Sequence, residues 1–442
     1  MRRLALLFAA VFLLPAAARR HSVTPPVPVV PNIDIERSMV ITDQNVISGI
    51  TLERTLQSLI DHAGVNMTPA QLYRQWFDTQ NPKPGLAVAD APHCDDTMTN
   101  GKASINGFAR RCPTPEGVLA TTDPFPGHEY ETAGVINRFD QMPADGSNCG
   151  AYRIVFVRLR GTVGTTNVET LFEGVLPNPN PQAGIAACRP VAQFWADLST
   201  IDSASERRAR IEQFFFDGIP GFAPVLTAEH FNNGGRIRNE HIEPPVYTAR
   251  FYQFVIEKRC ANDACRLVIV PDVLNNAPHP SLYNASVVTP LGPQFRDEFI
   301  RQMPTLIIRD VNYYVNFPKQ YLAGESRPPD AGVTGNGEAY VTSLSTPAGQ
   351  DFQLRIQQEL TRLGSTITPR QIIARADTQD CFGCHNSASD VGEGVQFPAA
   401  RFNEHVTLDG ISTALRNVYA PFRAKVLRDF LMFGAPPPVH VN

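Results

Sequence analysis

No run of basic residues and no block of like charge occurs in this 442-residue chain, whose formal net charge is −4. That argues against nucleic acid or an anionic membrane surface as the main partner. After the first twenty residues no apolar run approaches bilayer length, so no stable membrane span is expected. There is no G-x-S-x-G elbow for a serine nucleophile and no H-E-x-x-H helix for a catalytic zinc. "GVTGNG" has the glycines of a phosphate loop, but it follows no strand and opens no helix. "DQMPADGSN" carries Asp140, Asp145 and Asn148 without the register of a calcium loop. No internal repeat is visible, and the 38 prolines form no low-complexity tract apart from "TPPVPVVP" near the start.

What is present begins with "MRRLALLFAAVFLLPAAARR", a basic start, a short apolar stretch and small residues before Arg19. Residues 1–18 read as an export signal that is removed, and 19–50 as an extended leader. Export permits disulfides, so the 8 cysteines are read first as bridges. Setting Cys381 and Cys384 aside leaves Cys94, Cys112, Cys149, Cys188, Cys260 and Cys265. "FYQFVIEKRCANDACRLVIV" is two β-rich runs around a tight turn and places Cys260 opposite Cys265. Cys94 with Cys112 and Cys149 with Cys188 are suggested by proximity in sequence alone. The same six as reduced, buried cysteines is the competing reading.

The chain reads as α+β, with a β-rich N-terminal domain carrying helical insertions and then a small all-α, cytochrome-c-like C-terminal domain. Residues 51–330 form the first. "TLERTLQSLIDHAG" spaces Leu52, Leu56, Leu59 and Ile60 on one helical face behind Thr51, and "TPAQLYRQWF" opens with a capping box from Thr68 to Gln71. "AYRIVFVRLR", "VETLFEGVLP" and "TLIIRDVNYYVNF" predict strands, "NNGGRIR" a hairpin turn, and "SASERRARIEQFFF" and "PQFRDEFIRQM" helices. The Gly- and Pro-rich "LAGESRPPDAGVTGNGEAY" marks the boundary. Residues 346–442 read as helical, including "TPRQIIARA" behind Thr368 and a terminal pair broken near Pro421.

Within that second part lies "DTQDCFGCHNSAS". Three readings compete for Cys381, Cys384 and His385: a haem attachment site, a redox or disulfide pair, and half of a zinc site. A shuffled chain of this composition would carry Cys-x-x-Cys-His with a probability of about 0.003. Zinc wants a second pair of ligands at ligand spacing, and only the isolated His405 and His440 follow. A thioredoxin-like pair wants an adjacent βαβ pattern, whereas both flanks read as helical. Haem attachment uses every part: two thiols for thioethers to one porphyrin, and the next residue, His385, as axial ligand of the haem iron.

On these residues the segment resembles a c-type cytochrome domain. The resemblance covers the last quarter of the chain, and it implies one covalent haem c per chain, attached outside the cytoplasm, and one-electron transfer. For the distal iron position His405 is a candidate, since the ligand loop of the family falls there. Met432 in "DFLMFG" is a second candidate, although its apolar neighbours read as core packing. The function expected is that of an exported, periplasmic or secreted monohaem cytochrome serving a redox partner protein or a small electron donor or acceptor. The contrasting reading is a haem c-dependent oxidoreductase acting on peroxide, oxygen or an organic substrate, with the N-terminal domain forming the substrate or partner site. A third is a binding module in which the haem is structural or sensory. One further metal signal is weaker: His230 and His241, each preceded by glutamate, could meet across the "NNGGRIR" turn as ligands, though such histidines are usually structural.

Overall fold

Three threonines begin helices where the sequence announces them. The computed structural model describes residues 30–125, 130–158, 167–243, 248–262, 264–284, 290–311, 313–326, 339–344, 347–380, 390–395 and 415–438. After two single turns, α1 (Ile35–Ser38) and α2 (Gln44–Ile47), Thr51 caps α3 (Leu52–Ala63) by accepting from the Arg54 amide at 3.1 Å. Thr68 and Thr368 form full capping boxes with Gln71 and Gln371 at the starts of α4 (Pro69–Asp78) and α10 (Pro369–Asp377), each with proline at the first helical position.

The centre is a seven-stranded sheet in the order β1-β5-β6-β7-β8-β9-β10. Its strands are β1 (Val40–Ile41), β5 (Tyr130–Arg138), β6 (Asn148–Arg158), β7 (Asn167–Pro177), β8 (Arg236–Glu243), β9 (Thr248–Ala261) and β10 (Ala264–Asp272), and every pairing is antiparallel. A small second sheet joins β2 (Met98–Thr99), β3 (Lys102–Ile105) and β4 (Phe108–Ala109). Tyr152, Ile154, Phe156, Phe172, Ile237 and Phe254 line one face of the large sheet and are fully buried. Trp76 of α4 meets Phe172 and Phe254 edge-on at 5.6 and 6.1 Å. The same helix protects the sheet edge, because the Gln75 amide donates to Leu267 O and accepts from Ile269 N on β10.

Between β7 and β8 come α5 (Arg189–Leu198) and α6 (Ala204–Glu212), then a π turn over Gln213–Asp217. The Asn233-Gly234 signal is therefore not a hairpin. A short 3-10 helix, Ala228–Phe231, precedes it, and Gly234 at φ +90° supplies the bend into β8. The three disulfides among the described residues are those suggested above, Cys94–Cys112, Cys149–Cys188 and Cys260–Cys265. They fit a chain that matures in an oxidising compartment. No described helix is long and apolar enough to cross a membrane.

A β-rich domain followed by an all-α one is not what forms; the described residues make a mixed α/β structure and include no distinct all-α cytochrome domain. The apolar faces of the late helices are completed by different neighbours. α8 (Ala339–Leu344), α9 (Gln350–Arg362) and α10 share a core with α7 (Leu291–Leu306) and with Tyr283, Tyr313, Val315 and Phe317. The last described helix, α11 (Ala420–Phe433), instead enters the core of the large sheet, where Phe430 meets Phe139 at 4.9 Å. "TLIIRDVNYYVNF" is likewise no strand. Its first residues end α7, and Tyr313, Val315 and Phe317 then alternate inward with period two but without a ladder. Side chains of α7 take the ladder's place: the Gln302 amide accepts from Asn316 N and donates to its carbonyl, both at 2.6 Å, and Thr305 Oγ1 donates to Tyr314 O.

Candidate functional site

Antiparallel register brings a row of polar side chains onto the buried face of the sheet. Thr170 of β7 stands opposite Asn239 of β8, Asn239 opposite Tyr252 of β9, and Tyr252 bridges Glu325. All four are at most 1% exposed. Alternation along each strand puts Phe172, Ile237 and Phe254 in the next row and Val168, His241 and Arg250 in the row on the other side. The site thus has an apolar wall and a charged wall.

The charged wall is completed from above by residues 110–121. Arg110 follows β4, the Cys94–Cys112 bridge fixes the chain beside it, and the Thr114 hydroxyl donates to Gln80 Oε1 at 2.8 Å. Pro115 then opens a 3-10 helix whose first turn holds Glu116. Gly117 is needed here for close approach: a Cβ would lie 2.3 Å from Asn81 Oδ1, while Asn81 Nδ2 donates to the Gly117 carbonyl at 2.9 Å. So placed, Glu116 Oε2 lies 3.7 Å from His241 Nδ1. Glu325 accepts from the Arg111 amide at 3.2 Å, and its other oxygen lies 3.8 Å from Arg250 Nη1.

Burial dominates the electrostatics. It pushes the Tyr252 phenol well above its usual value, and the carboxylates of Glu325 and Glu116 push the same way. It also raises Glu325, against the opposing pull of Arg250. It lowers Arg110, against Glu325, Tyr252 and Glu116. Both amide atoms of Asn239, the hydroxyls of Thr170 and Tyr252, and Arg110 Nε are buried and have no hydrogen-bond partner among the described residues. Each such atom ordinarily costs about 1–3 kcal/mol.

The opposite face carries a different arrangement. Glu173 accepts from Arg153 and lies 2.9 Å from Arg236 Nε; Arg138 pairs with Asp140 at 3.0 Å. Burial pulls the Arg153 guanidinium down to about 9, while Glu173 is held far below the usual range by Arg153 and its neighbours in spite of its burial. Beside them Glu169 stands directly opposite Glu240, and burial raises both carboxyls, Glu169 to about 7.

Of the residues singled out in the sequence, Cys381, Cys384, His385, His405 and His440 lie outside the described residues. Their neighbours are placed. Asp380 accepts from Tyr340 OH at 3.0 Å, and Thr378 Oγ1 lies 2.7 Å from Tyr313 OH. On the far side, Asp390 accepts from Gln371, and Arg375 donates to the carbonyls of Val391 and Gly392. The chain thus leaves the end of α10 at Asp380 and is tied back to the same helix at Asp390. Met432, half-buried, belongs to α11, which packs on α5 and the turn Phe139–Gln141.

The metal-binding expectation needs correction. Among the described residues no group of three or more His, Cys, Asp or Glu could hold a metal ion, so the haem, iron and cytochrome descriptions gain no support from them. His230 and His241 do not form a pair. His230 sits before the Gly234 bend with Nδ1 3.1 Å from Val225 O, whereas His241 lies near the far end of β8, roughly 16 Å along the strand from its start at Arg236. The polar row carries no motif in the sequence, and Glu325 lies within the Gly- and Pro-rich stretch that reads as a boundary. Comparison with protein-family models, with curated proteins and with solved structures finds no match.

Proposed function

We propose that this is an exported monohaem c-type cytochrome that passes single electrons to or from a partner protein or small molecule in the periplasm. The observation that carries the reading is the Cys381-Phe-Gly-Cys384-His385 sequence. Cys381 and Cys384 would hold the haem by thioethers, with His385 as its axial ligand, and His405, ahead of Met432, is the candidate for the distal side. The bound haem supplies a one-electron couple. The protein's contribution is to carry and orient it. Tyr340 and Tyr313 fix the chain just before the motif, and Gln371 and Arg375 fix it just after. Three disulfides support maturation in the compartment where such haems are joined.

Redox titration of the purified protein tests this reading: one reversible one-electron wave and a low-spin spectrum that carbon monoxide leaves unchanged support it. A spectrum that does not respond to reductant contradicts it. The second reading, a haem-dependent oxidoreductase, draws on the buried polar row at Thr170, Asn239 and Tyr252, whose side-chain polar atoms have no hydrogen-bond partner among the described residues and which a bare electron carrier does not need. Rapid carbon monoxide or cyanide binding with a high-spin spectrum would support that alternative.

A further inference from the structure

We infer that the cavity between the end of β10 and the segment after α7 is a binding site for a neutral saccharide of one or two rings. The cavity measures about 430 Å³, with Asn275 and Asn276 among its lining on one side and Asn316, Phe317 and Lys319 on the other. That volume falls within the range of about 300–1,000 Å³ usual for small-molecule sites, and it is far above the roughly 30 Å³ that one water occupies. Its rim reaches solvent, since the side chains of Lys319 and Arg301 are each 70% exposed.

The walls are held from outside by side-chain amides of three other elements. Gln253 of β9 donates to Val273 O at 2.7 Å and to Asn275 Oδ1 at 3.2 Å. Gln302 of α7 holds both backbone groups of Asn316, and Asn106, in the turn between β3 and β4, donates to the carbonyls of Lys319 and Leu322 at 2.6 and 3.1 Å. Walls fixed in this way lower the ordering cost of binding. They also leave polar side-chain atoms for the cavity. Asn276 is 8% exposed; its Oδ1 accepts from the Phe317 amide at 3.4 Å, and its Nδ2 donates to no described residue. Asn316 bonds through its backbone, so among the described residues its side chain has no partner.

The charges of the lining select against an ionic ligand. Lys319 Nζ lies 2.6 Å from Asp272 Oδ1, and Arg301 Nε donates to Glu298 at 2.9 Å. Each cation at the rim already has its carboxylate, so an anion would meet no unpaired one. What remains on offer is amide groups, which both donate and accept, above an apolar floor of Val273, Phe317 and Leu322. A sugar ring answers both, with hydroxyls that donate and accept around its edge and C–H groups on its faces.

This inference does not rest on the haem reading, and its test separates the two. The mature full-length chain, with and without the Cys381→Ala/Cys384→Ala double substitution, would be titrated calorimetrically with D-glucose, D-galactose, N-acetyl-D-glucosamine, maltose and cellobiose, and with D-galacturonate as the charged control. Saturable binding of at least one neutral sugar, with the same affinity in both proteins and with no binding of galacturonate, is expected. Asn276→Asp keeps the acceptor for the Phe317 amide and removes the free donor, and it should weaken binding at least about fivefold. Asn316→Ala removes a side chain that holds nothing in place, so it should melt as the parent does and still weaken binding, which keeps the test open should the Asn276 variant not fold. Absence of saturable binding to all five neutral sugars, tighter binding of galacturonate than of any of them, or an affinity unmoved by both substitutions would overturn the assignment and leave the cavity to solvent.

Discussion

Glu169 on β7 and Glu240 on β8 stand side by side in register, carboxyl to carboxyl, and they retain a proton at a pH where free glutamates have lost it. Burial raises Glu169 from 4.5 to about 7, partly offset by its hydrogen bond with Glu240; burial and the neighbouring Glu169 raise Glu240 further. A carboxyl whose folded value lies above its unfolded one binds the proton more tightly in the folded state. Its contribution is complete below about 4.5 and is lost as the pH rises through about 7. The melting temperature should therefore fall between pH 5 and pH 8. In Glu169→Gln that slope should shrink, with the variant more stable than the parent at pH 8 by about 1–2 kcal/mol. Equal slopes in the two proteins would contradict the shared proton.

Phe430 tests where the last helix belongs. It is 1% exposed and packs edge-on against Phe139 in the core of the large sheet. Phe430→Ala should cost about 3–5 kcal/mol and lower the stability of the sheet itself, followed by far-ultraviolet circular dichroism during denaturation. Were α11 part of a separate helical unit, the sheet's transition would not move.

These elements also show what could be read in advance. Helix starts were legible because a cap is local: Thr51, Thr68 and Thr368 need only the residue three positions on. The Cys260–Cys265 hairpin was legible for the same reason. Where α9, α10 and α11 bury their faces was not, since amphipathic spacing says that a face is buried and not against what. The segment around Tyr313–Phe317 shows the limit of periodicity. Its alternation is real, yet the hydrogen bonds come from Gln302 and Thr305 on a helix. The polar row needed the register of three strands plus Glu325 from a distant loop, and no single stretch of sequence contains it.

Arg375 links the motif's surroundings to the second core. Fully buried over the Tyr313 ring, it donates to the carbonyls of Leu306, Ile308, Val391 and Gly392. Arg375→Met leaves those acceptors without a donor and should cost at least about 3 kcal/mol in thermal denaturation. It should also lower the yield of attached haem, because the return of the chain at Val391 is no longer held. Unchanged stability and unchanged haem yield would contradict this.

The Cys94–Cys112 bridge holds the start of the segment that carries Glu116 over the polar row. It closes a short loop, and replacing both cysteines with serine should cost about 3 kcal/mol. Replacing Cys260 and Cys265, which close a still shorter loop at the far end of the β9–β10 hairpin, should cost less. Calorimetry on the two double variants distinguishes these outcomes.

Most direct for the account as a whole is the intact mass of the mature protein, produced in a host competent for cytochrome maturation and denatured in acid to strip any non-covalent group. The account predicts the mass of the polypeptide plus one haem, lost in Cys381→Ala/Cys384→Ala. A colourless protein with the mass of the bare polypeptide would contradict it.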